Sequence, residues 1–502
     1  MKDRRFPFYP LIAAAFPVVS VYSSNLAYVP VEQLWRPLFV TVGATAILWA
    51  ALSLVLRSVH RGAAAAMVLV LCFFANGFVE VDLLPSSPYS TYVWGAVTLL
   101  LTGLAAWKLT ATKVLNVLAL AVAAVALVNI GYRLGKASYL ASRPAPGKVT
   151  ATRQGPKPDV FYIVLDGHGR TDSVKRAIGY DDSWFVQALR KRGFYVADES
   201  HSNYAQTELS LASSLNLDFI PNLLPKIKPS DISREPLGSV LDHNEAARRF
   251  RAEGYRFVSV TTGFPPVRLA GADLHLGDGS GRTMVETALL SMTPLRHDTG
   301  IVRSQYDTRR KQLLSAFDDL RALAAPTEAP RFVVAHILAP HPPFVFGPKG
   351  ESVRIGGLYS FMDGSDFLTN VGTAEQYRRG YAGQAEFIEK KVLEAVDAIV
   401  AGKQSGPRPI IVIQGDHGSK IGLDQNSLAR TDLNEVFPIL NAYLVPDEVR
   451  KALRPKITPV NSFRTILREL FGEDLPSLRD RSWYSTFPLP YDLTDVTDRL
   501  RP

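Results

Sequence analysis

The stretch Ile411-Val-Ile-Gln-Gly-Asp-His-Gly-Ser-Lys420 sets a carboxylate beside an imidazole at the end of an apolar run. Ile411, Val412 and Ile413 predict a buried parallel strand. Gly415 and Gly418 permit the turn that would bring Asp416 and His417 to one divalent metal. Strand C-termini are the usual ligand sites of α/β sheets, although Asp-His-Gly also suits a plain turn. Three further stretches carry matching chemistry. Asp166 ends the apolar run 159–165, where Asp166-Gly167 reads as a turn or as a second strand-end carboxylate. Thr207 opens a helical pattern continued by Leu209, Ala212 and Leu215. It is either an N-cap threonine or a nucleophile where backbone N–H groups and the helix dipole favour an anion. His336 and His341 follow a strand, and the prolines at 340, 342 and 343 keep that loop out of a helix. Two histidines in a rigid loop at a strand end favour a site over a structural role.

The elements that must position these groups are legible as an alternation. Residues 182–192 read as a helix stopped by Gly193 and followed by a short strand at 194–196. Residues 244–253, Gly254 and 256–260 repeat helix, stop and strand. The pattern recurs from 317–323 into 332–335 and from 387–400 into 410–413. Such alternation predicts a mainly parallel sheet covered on both faces. Tyr377, Tyr381, Gln384 and Lys391 fall on the helix before the last of these strands, where the apolar positions pack. Residues 264–300 show no clear periodicity and read as an insertion, a candidate substrate loop.

The first part of the 502-residue chain has a different composition. Five apolar runs, roughly 7–24, 37–56, 63–82, 91–107 and 114–132, each approach the ~20 residues that span a bilayer. Four runs follow the first, so it reads as a membrane helix and not as a cleaved signal. Lys2, Arg4, Arg5, Arg57, Arg61, Lys108 and Lys113 fall on one side of such an arrangement and Arg36 alone on the other. The positive-inside rule then places the N-terminus in the cytoplasm and the rest of the chain outside it. The expected organisation is a five-helix transmembrane module at 1–135, a Pro- and Gly-interrupted linker at 136–157 and an outer domain at 158–502. The only cysteine, Cys72, excludes an intrachain disulfide. The formal net charge of +9 includes no basic run dense enough for nucleic acid, and suits anionic lipid or an anionic substrate. No intramembrane charge pair suggests a coupled transporter.

With Asp166, Thr207 and Asp416-His417 in this order, residues 158–490 resemble the alkaline phosphatase superfamily. More narrowly they resemble its sulfatase-like branch, which includes membrane-bound lipoteichoic acid synthases and phosphoethanolamine transferases. His341-Pro-Pro-Phe344 is similar to that branch's substrate-side histidine segment. The stretch 463–472 with Leu478 to Arg481 is similar to its closing segment. The resemblance implies an α/β/α domain in which Asp166, Thr207, Asp416 and His417 hold one metal. Zinc or manganese suits mixed nitrogen and oxygen ligands best, with magnesium or calcium as alternatives. Thr207 would be the nucleophile, and His341 or His336 the proton donor or substrate holder. Sulfatases carry a Cys or Ser followed by Pro and Arg, whereas this chain has Thr207-Glu-Leu-Ser-Leu211, which cannot form formylglycine. No histidine follows His417, so the later ligand of two-metal relatives is missing. The resemblance thus implies an inner-membrane, multi-pass transferase with its catalytic domain in the periplasm. It would move a phospho-head group from a phospholipid donor to a surface-glycan or lipid acceptor. A phosphodiesterase or sulfuric ester hydrolase and a non-catalytic envelope scaffold are the alternatives.

Overall fold

The computed structural model describes residues 5–26, 29–83, 89–109, 111–142, 157–267, 269–277, 282–355, 359–402 and 406–501. The chain forms two compact units. One comprises Met1–Lys136 with Gly281–Gln305, the other Ala137–Ser280 with Tyr306–Pro502.

The apolar runs form the helices α1 (Tyr9–Ser24), α2 (Glu32–Val55), α3 (Val59–Phe78), α4 (Ser90–Lys108) and α5 (Thr112–Ala141). Four of them, α2 to α5, are long and apolar enough to cross a membrane. The 16 residues of α1 reach about 24 Å, short of a ~30 Å hydrocarbon core. The expected count of five spans therefore becomes four plus a shorter apolar helix. In α3, 56% of the most apolar window is buried, against 6–11% in α2, α4 and α5, so α3 is the inner helix. Its buried Gly62-Ala-Ala-Ala-Ala66 run lets neighbouring backbones approach closely, as small residues do in membrane bundles. Ile47, Leu54, Leu99, Leu100, Val125 and Val128 stay exposed on the outer helices, as lipid-facing residues must.

Two expected boundaries differ from this division. Helix α5 continues to Ala141, past the anticipated end at 135, because no helix breaker occurs before Pro144. Most of the expected linker, 143–156, lies outside the described residues. The insertion at 264–300 is not one loop either. Leu274–Leu276 is a strand, whereas the helix Met284–Ser291 belongs to the first unit. Thr283 and Glu286 cap that helix reciprocally. Val285 and Leu289 share a core with Ala14, Val18, Val70 and Phe74. Arg36 pairs with Glu286, and His297 meets Glu80 at 2.7 Å. The Gly77 N–H donates to the Met292 carbonyl at 2.9 Å, and a Cβ at Gly77 would come within 2.6 Å of the Ser291 carbonyl oxygen.

The second unit is built on a seven-stranded sheet. Its strands are β1 (Val160–Leu165), β2 (Tyr195–Val196), β3 (Arg256–Thr261), β4 (Leu274–Leu276), β5 (Arg331–Ile337), β6 (Ile410–Gly415) and β7 (Asn441–Leu444). The order is β2-β7-β6-β1-β5-β3-β4. The five strands from β6 to β4 are parallel, and β7 and β2 pair antiparallel at one edge. Every residue of β1, β5 and β6 is buried, as the unbroken apolar runs require of central parallel strands. Tyr162, Phe250, Phe332 and Phe463 fill the largest cluster on one face. Leu165 pairs with Gly415 on one side and with Ile337 on the other. The residues that follow β1 and β6, Asp166 and Asp416, therefore emerge level with each other at the sheet's C-terminal edge.

Candidate active site

Asp166 and Asp416 leave adjacent strands, and the turns after them bring their carboxylates together. Gly167 takes φ +77°, a conformation open to glycine, and its N–H donates to Asp416 Oδ1 at 3.0 Å. The Tyr381 hydroxyl donates to the Gly167 carbonyl at 2.9 Å and fixes the same turn. His417 hydrogen-bonds through Nδ1 to the Gly418 carbonyl at 2.9 Å. That bond assigns the ring proton to Nδ1 and leaves the Nε2 lone pair facing inward. Around Nε2 lie Asp416 Oδ2 at 3.2 Å, Asp166 Oδ1 at 3.3 Å and Thr207 Oγ1 at 3.2 Å.

Thr207 reaches this point from the helix α8 (Thr207–Asn216). The N-cap position belongs to Gln206, and no side chain caps the helix. Thr207 is thus the first helical residue and its hydroxyl is turned to the carboxylates, 3.5 Å from Asp166 Oδ2. One turn on, Ser210 Oγ donates to the Asp416 carbonyl at 2.7 Å and ties the helix to the strand end. Buried Arg234 bonds to Gln206 and Glu208 and holds the first turn from its other side.

Of the two histidines expected after the strand, His336 lies within β5, because the apolar run carries the ladder on to Ile337, and His341 alone lies in the proline loop. His336 Nε2 lies 3.0 Å from Asp166 Oδ2, so it orients the carboxylate. His341 Nδ1 lies 2.6 Å from the Pro342 carbonyl, and its Nε2 lies 3.4 Å from Asp363 Oδ2. Asp363 accepts in turn from the Tyr377 hydroxyl at 2.7 Å. Gln384 donates to the His341 carbonyl and accepts from the Val345 N–H. Of the helical side chains singled out in the sequence, Tyr377, Tyr381 and Gln384 thus brace the site's loops. Lys391 pairs instead with Glu394. Asp363 and Lys420, both buried, carried no sequence signal beyond proximity to the motifs.

Burial alone would raise the Asp166 carboxyl, but His341, His336 and His417 together hold it well below the usual carboxylate range. Asp166 Oδ1 and Asp416 Oδ2 are buried without a hydrogen-bond partner. Asp166, Asp416 and His417 each turn a ligand atom to a common point. Ionised oxygens without donors, an inward imidazole lone pair and a hydroxyl oxygen are the donor set a divalent cation satisfies. The residues fit one metal.

No protein-family model and no curated protein matches the sequence. Several solved structures align with the chain. The C-terminal periplasmic domain of EptC from Escherichia coli, in complex with zinc, aligns at 13% identity and a TM-score of 0.46, covering 70% of this chain and 98% of that one. The integral membrane lipooligosaccharide phosphoethanolamine transferase EptA from Neisseria meningitidis aligns at 11% identity and a TM-score of 0.42, covering 92% of this chain and 93% of that one. A putative sulfatase from Bacteroides thetaiotaomicron aligns at 14% identity and a TM-score of 0.42, covering 67% and 75%. Phosphoethanolamine transferases and sulfatases are among the proteins that the sequence motifs resemble.

Proposed function

We propose that the protein is a membrane-anchored, metal-dependent transferase of phospho-head groups, working through a phosphothreonine intermediate. The observation that carries this reading is the Thr207 hydroxyl. It lies 3.2 Å from His417 Nε2 and 3.5 Å from Asp166 Oδ2, at the start of a helix whose cap position is filled by another residue. Asp166, Asp416, His417 and Thr207 would hold the metal, with zinc or manganese the best match to the donors. Such a cation lowers the pKa of a hydroxyl and neutralises charge on a phosphodiester.

The chain's own residues supply the rest. The N-terminal N–H groups of α8 face an anion at Thr207, and Lys420 adds a positive charge nearby. Thr207 Oγ1 attacks phosphorus, the P–O bond to the lipid alkoxide breaks, and His341 gives that alkoxide a proton. His336 keeps the Asp166 carboxylate in place. An acceptor hydroxyl on a glycan or lipid then gives its proton back to His341 and attacks the phosphothreonine, and the bond from phosphorus to Thr207 Oγ1 breaks, with Thr207 leaving as the alkoxide that began the cycle. The apolar helices α2 to α5 supply the membrane anchor, which brings a phospholipid donor within reach. The charge pattern favours a cytoplasmic N-terminus and an outer catalytic unit at a bacterial inner membrane. This orientation requires α1 to cross as the fifth span, and residue-by-residue thiol labelling from outside tests it.

Intact-mass measurement of the detergent-purified chain after incubation with manganese and bacterial phospholipids tests the chemistry. A single adduct mapping to Thr207 is expected, and its mass identifies the head group as phosphoethanolamine or phosphoglycerol. Release of the adduct by water alone would make the protein a phosphodiesterase. No adduct, with aryl phosphodiesters and sulfate esters also untouched, would sink the transferase reading and leave the scaffold.

A further inference from the structure

The turn that carries Asp166 carries a second imidazole two residues on. His168 Nδ1 hydrogen-bonds to the Gly169 carbonyl at 3.0 Å, the same His-Gly device that His417 makes with Gly418. The bond again leaves Nε2 with its lone pair turned inward. Nε2 faces not a donor but Glu389 Oε1, at 3.0 Å. Two acceptors at that distance need a cation between them, either a proton or a metal.

Asp182 supplies the second observation. It occupies the N-cap position of the helix α7 (Ser183–Lys191), yet its side chain makes no cap bond. Its neighbour Asp181 instead accepts from the Ser183 N–H. Asp182 is 0% exposed, and neither carboxylate oxygen has a hydrogen-bond partner. Burial pushes its carboxyl above the ordinary range, and His168 and Thr171 act the other way. One ligand atom each from His168, Asp182 and Glu389 lies within 4.8 Å of the others. An ionised carboxylate buried without partners is costly, so Asp182 must either take up a proton or meet a cation.

We propose that His168, Asp182 and Glu389 form a second, buried divalent-cation site that is structural, distinct from the Thr207 site, and best suited to zinc. The donor set is one imidazole nitrogen and two carboxylates. Two ligands at about 2.0–2.1 Å from a tetrahedral zinc stand roughly 3.3 Å apart, close to the observed separation of His168 and Glu389. Two carboxylates and one divalent ion sum to zero charge, which removes the penalty for burying the acids. The surroundings suit a closed site. The Tyr180 hydroxyl donates to Glu389 Oε2 at 2.6 Å and accepts from the Trp184 ring N–H at 3.1 Å, and Phe185 packs against His168. Among the described residues the His168 ring bonds to the Gly169 carbonyl and to Glu389, and has no counterpart of the Thr207 hydroxyl that lies 3.2 Å from His417 Nε2. An ion here would pin three elements: the turn after β1, the start of α7 and the helix Ala374–Ala401. It would act on Asp166 by fixing the turn from which it projects.

Zinc content of the purified full-length chain decides the matter, with zinc alone as the probe. Two equivalents are expected. Asp416→Asn and Glu389→Gln should each keep one, and Glu389→Gln should also lower the melting temperature. In the Asp416→Asn background, cobalt substitution should still give visible absorption bands of nitrogen and oxygen ligation, and adding Asp182→Asn should weaken cobalt binding roughly 10- to 100-fold or more. One equivalent that Glu389→Gln retains and Asp416→Asn loses would overturn the second site and leave the proposed function standing. One equivalent with the opposite pattern would support the second site and count against the Thr207 site. Should Glu389→Gln not fold, the Asp416→Asn chain decides alone, because zinc-free, cobalt-silent protein there refutes the proposal.

Discussion

Two His-Gly turns follow the two central strands, and they are built alike up to the imidazole. After β6, His417 turns its lone pair to Asp166, Asp416 and a threonine hydroxyl at a helix start. After β1, His168 turns its lone pair to Glu389 and Asp182, under Tyr180, Trp184 and Phe185. The carboxylates and imidazole are common to both. The difference is what stands opposite them. One cluster faces the Thr207 hydroxyl, the proposed nucleophile, with the His341 loop beside it, whereas the other is closed by aromatic rings. On the proposed function, the Thr207 hydroxyl beside the His417 lone pair marks the reacting cluster, and the cluster walled by Tyr180, Trp184 and Phe185 is structural.

The sharpest way to break this contrast is to remove that threonine. Thr207→Ala should lower turnover roughly a thousandfold or more, with circular dichroism and the melting curve little changed. Retained adduct formation would mean that the nucleophile lies elsewhere. A smaller effect is expected at His341. His341→Gln should cost about 10²–10⁴-fold on a lipid donor, and much less on a nitrophenyl diester whose leaving group needs no proton. An equal loss on both substrates would make His341 a substrate holder and not an acid. Chelation should separate the clusters in time. Thr207 is 6% exposed, whereas His168, Asp182 and Glu389 are at most 1% exposed. Treatment with a chelator should therefore abolish transfer before the melting temperature falls, and simultaneous loss of both would contradict the division of roles.

The smallest effect concerns a buried acid that has neither imidazole nor metal. Glu435 accepts from the Ser419 hydroxyl and the Gly422 N–H. Burial pushes its carboxyl from the ordinary 4.5 to about 7. The folded state thus holds a proton there that the unfolded chain releases near pH 4.5. Stability should fall as pH rises between about 4.5 and 7, and Glu435→Gln should flatten that fall. A pH–melting curve with the same slope in both proteins would show that Glu435 is paired in a way this contrast does not include.

The strands and their chemical ends were readable because their signals are local. Val160–Leu165 and Ile410–Gly415 are short apolar runs with a glycine at or just beyond their ends, and the helix before Ile410 stops at Gly402. Whether Asp166 meets Asp416 depends on the register of β1 against β6, which no local pattern contains. Thr207 was ambiguous for a related reason. Only the conformation of Gln206 decides which residue is the cap. Glu389 lay in plain view eight residues after Tyr381, on the buried stripe that also holds Ala385 and Ile388. An acid on an inward stripe was the available signal, and its partners His168 and Asp182 are more than 200 residues away. The stretch 264–300 appeared aperiodic because it divides between the edge of a sheet and a short capped helix, neither long enough to set a period. The Thr283 and Glu286 spacing was its one legible mark.

That capped helix changes what it means to take the molecule apart. The chain passes between its units at 136–137, again at 280–281 and once more at 305–306. The anchor is stitched in, and a single cut does not free the catalytic half from it. A protein begun at residue 157 would still carry Val285 and Leu289 with none of the Ala14, Val18, Val70 or Phe74 surface that covers them. Such a fragment should be sticky and poorly soluble, and deleting 281–305 along with the first 156 residues is the excision this architecture calls for.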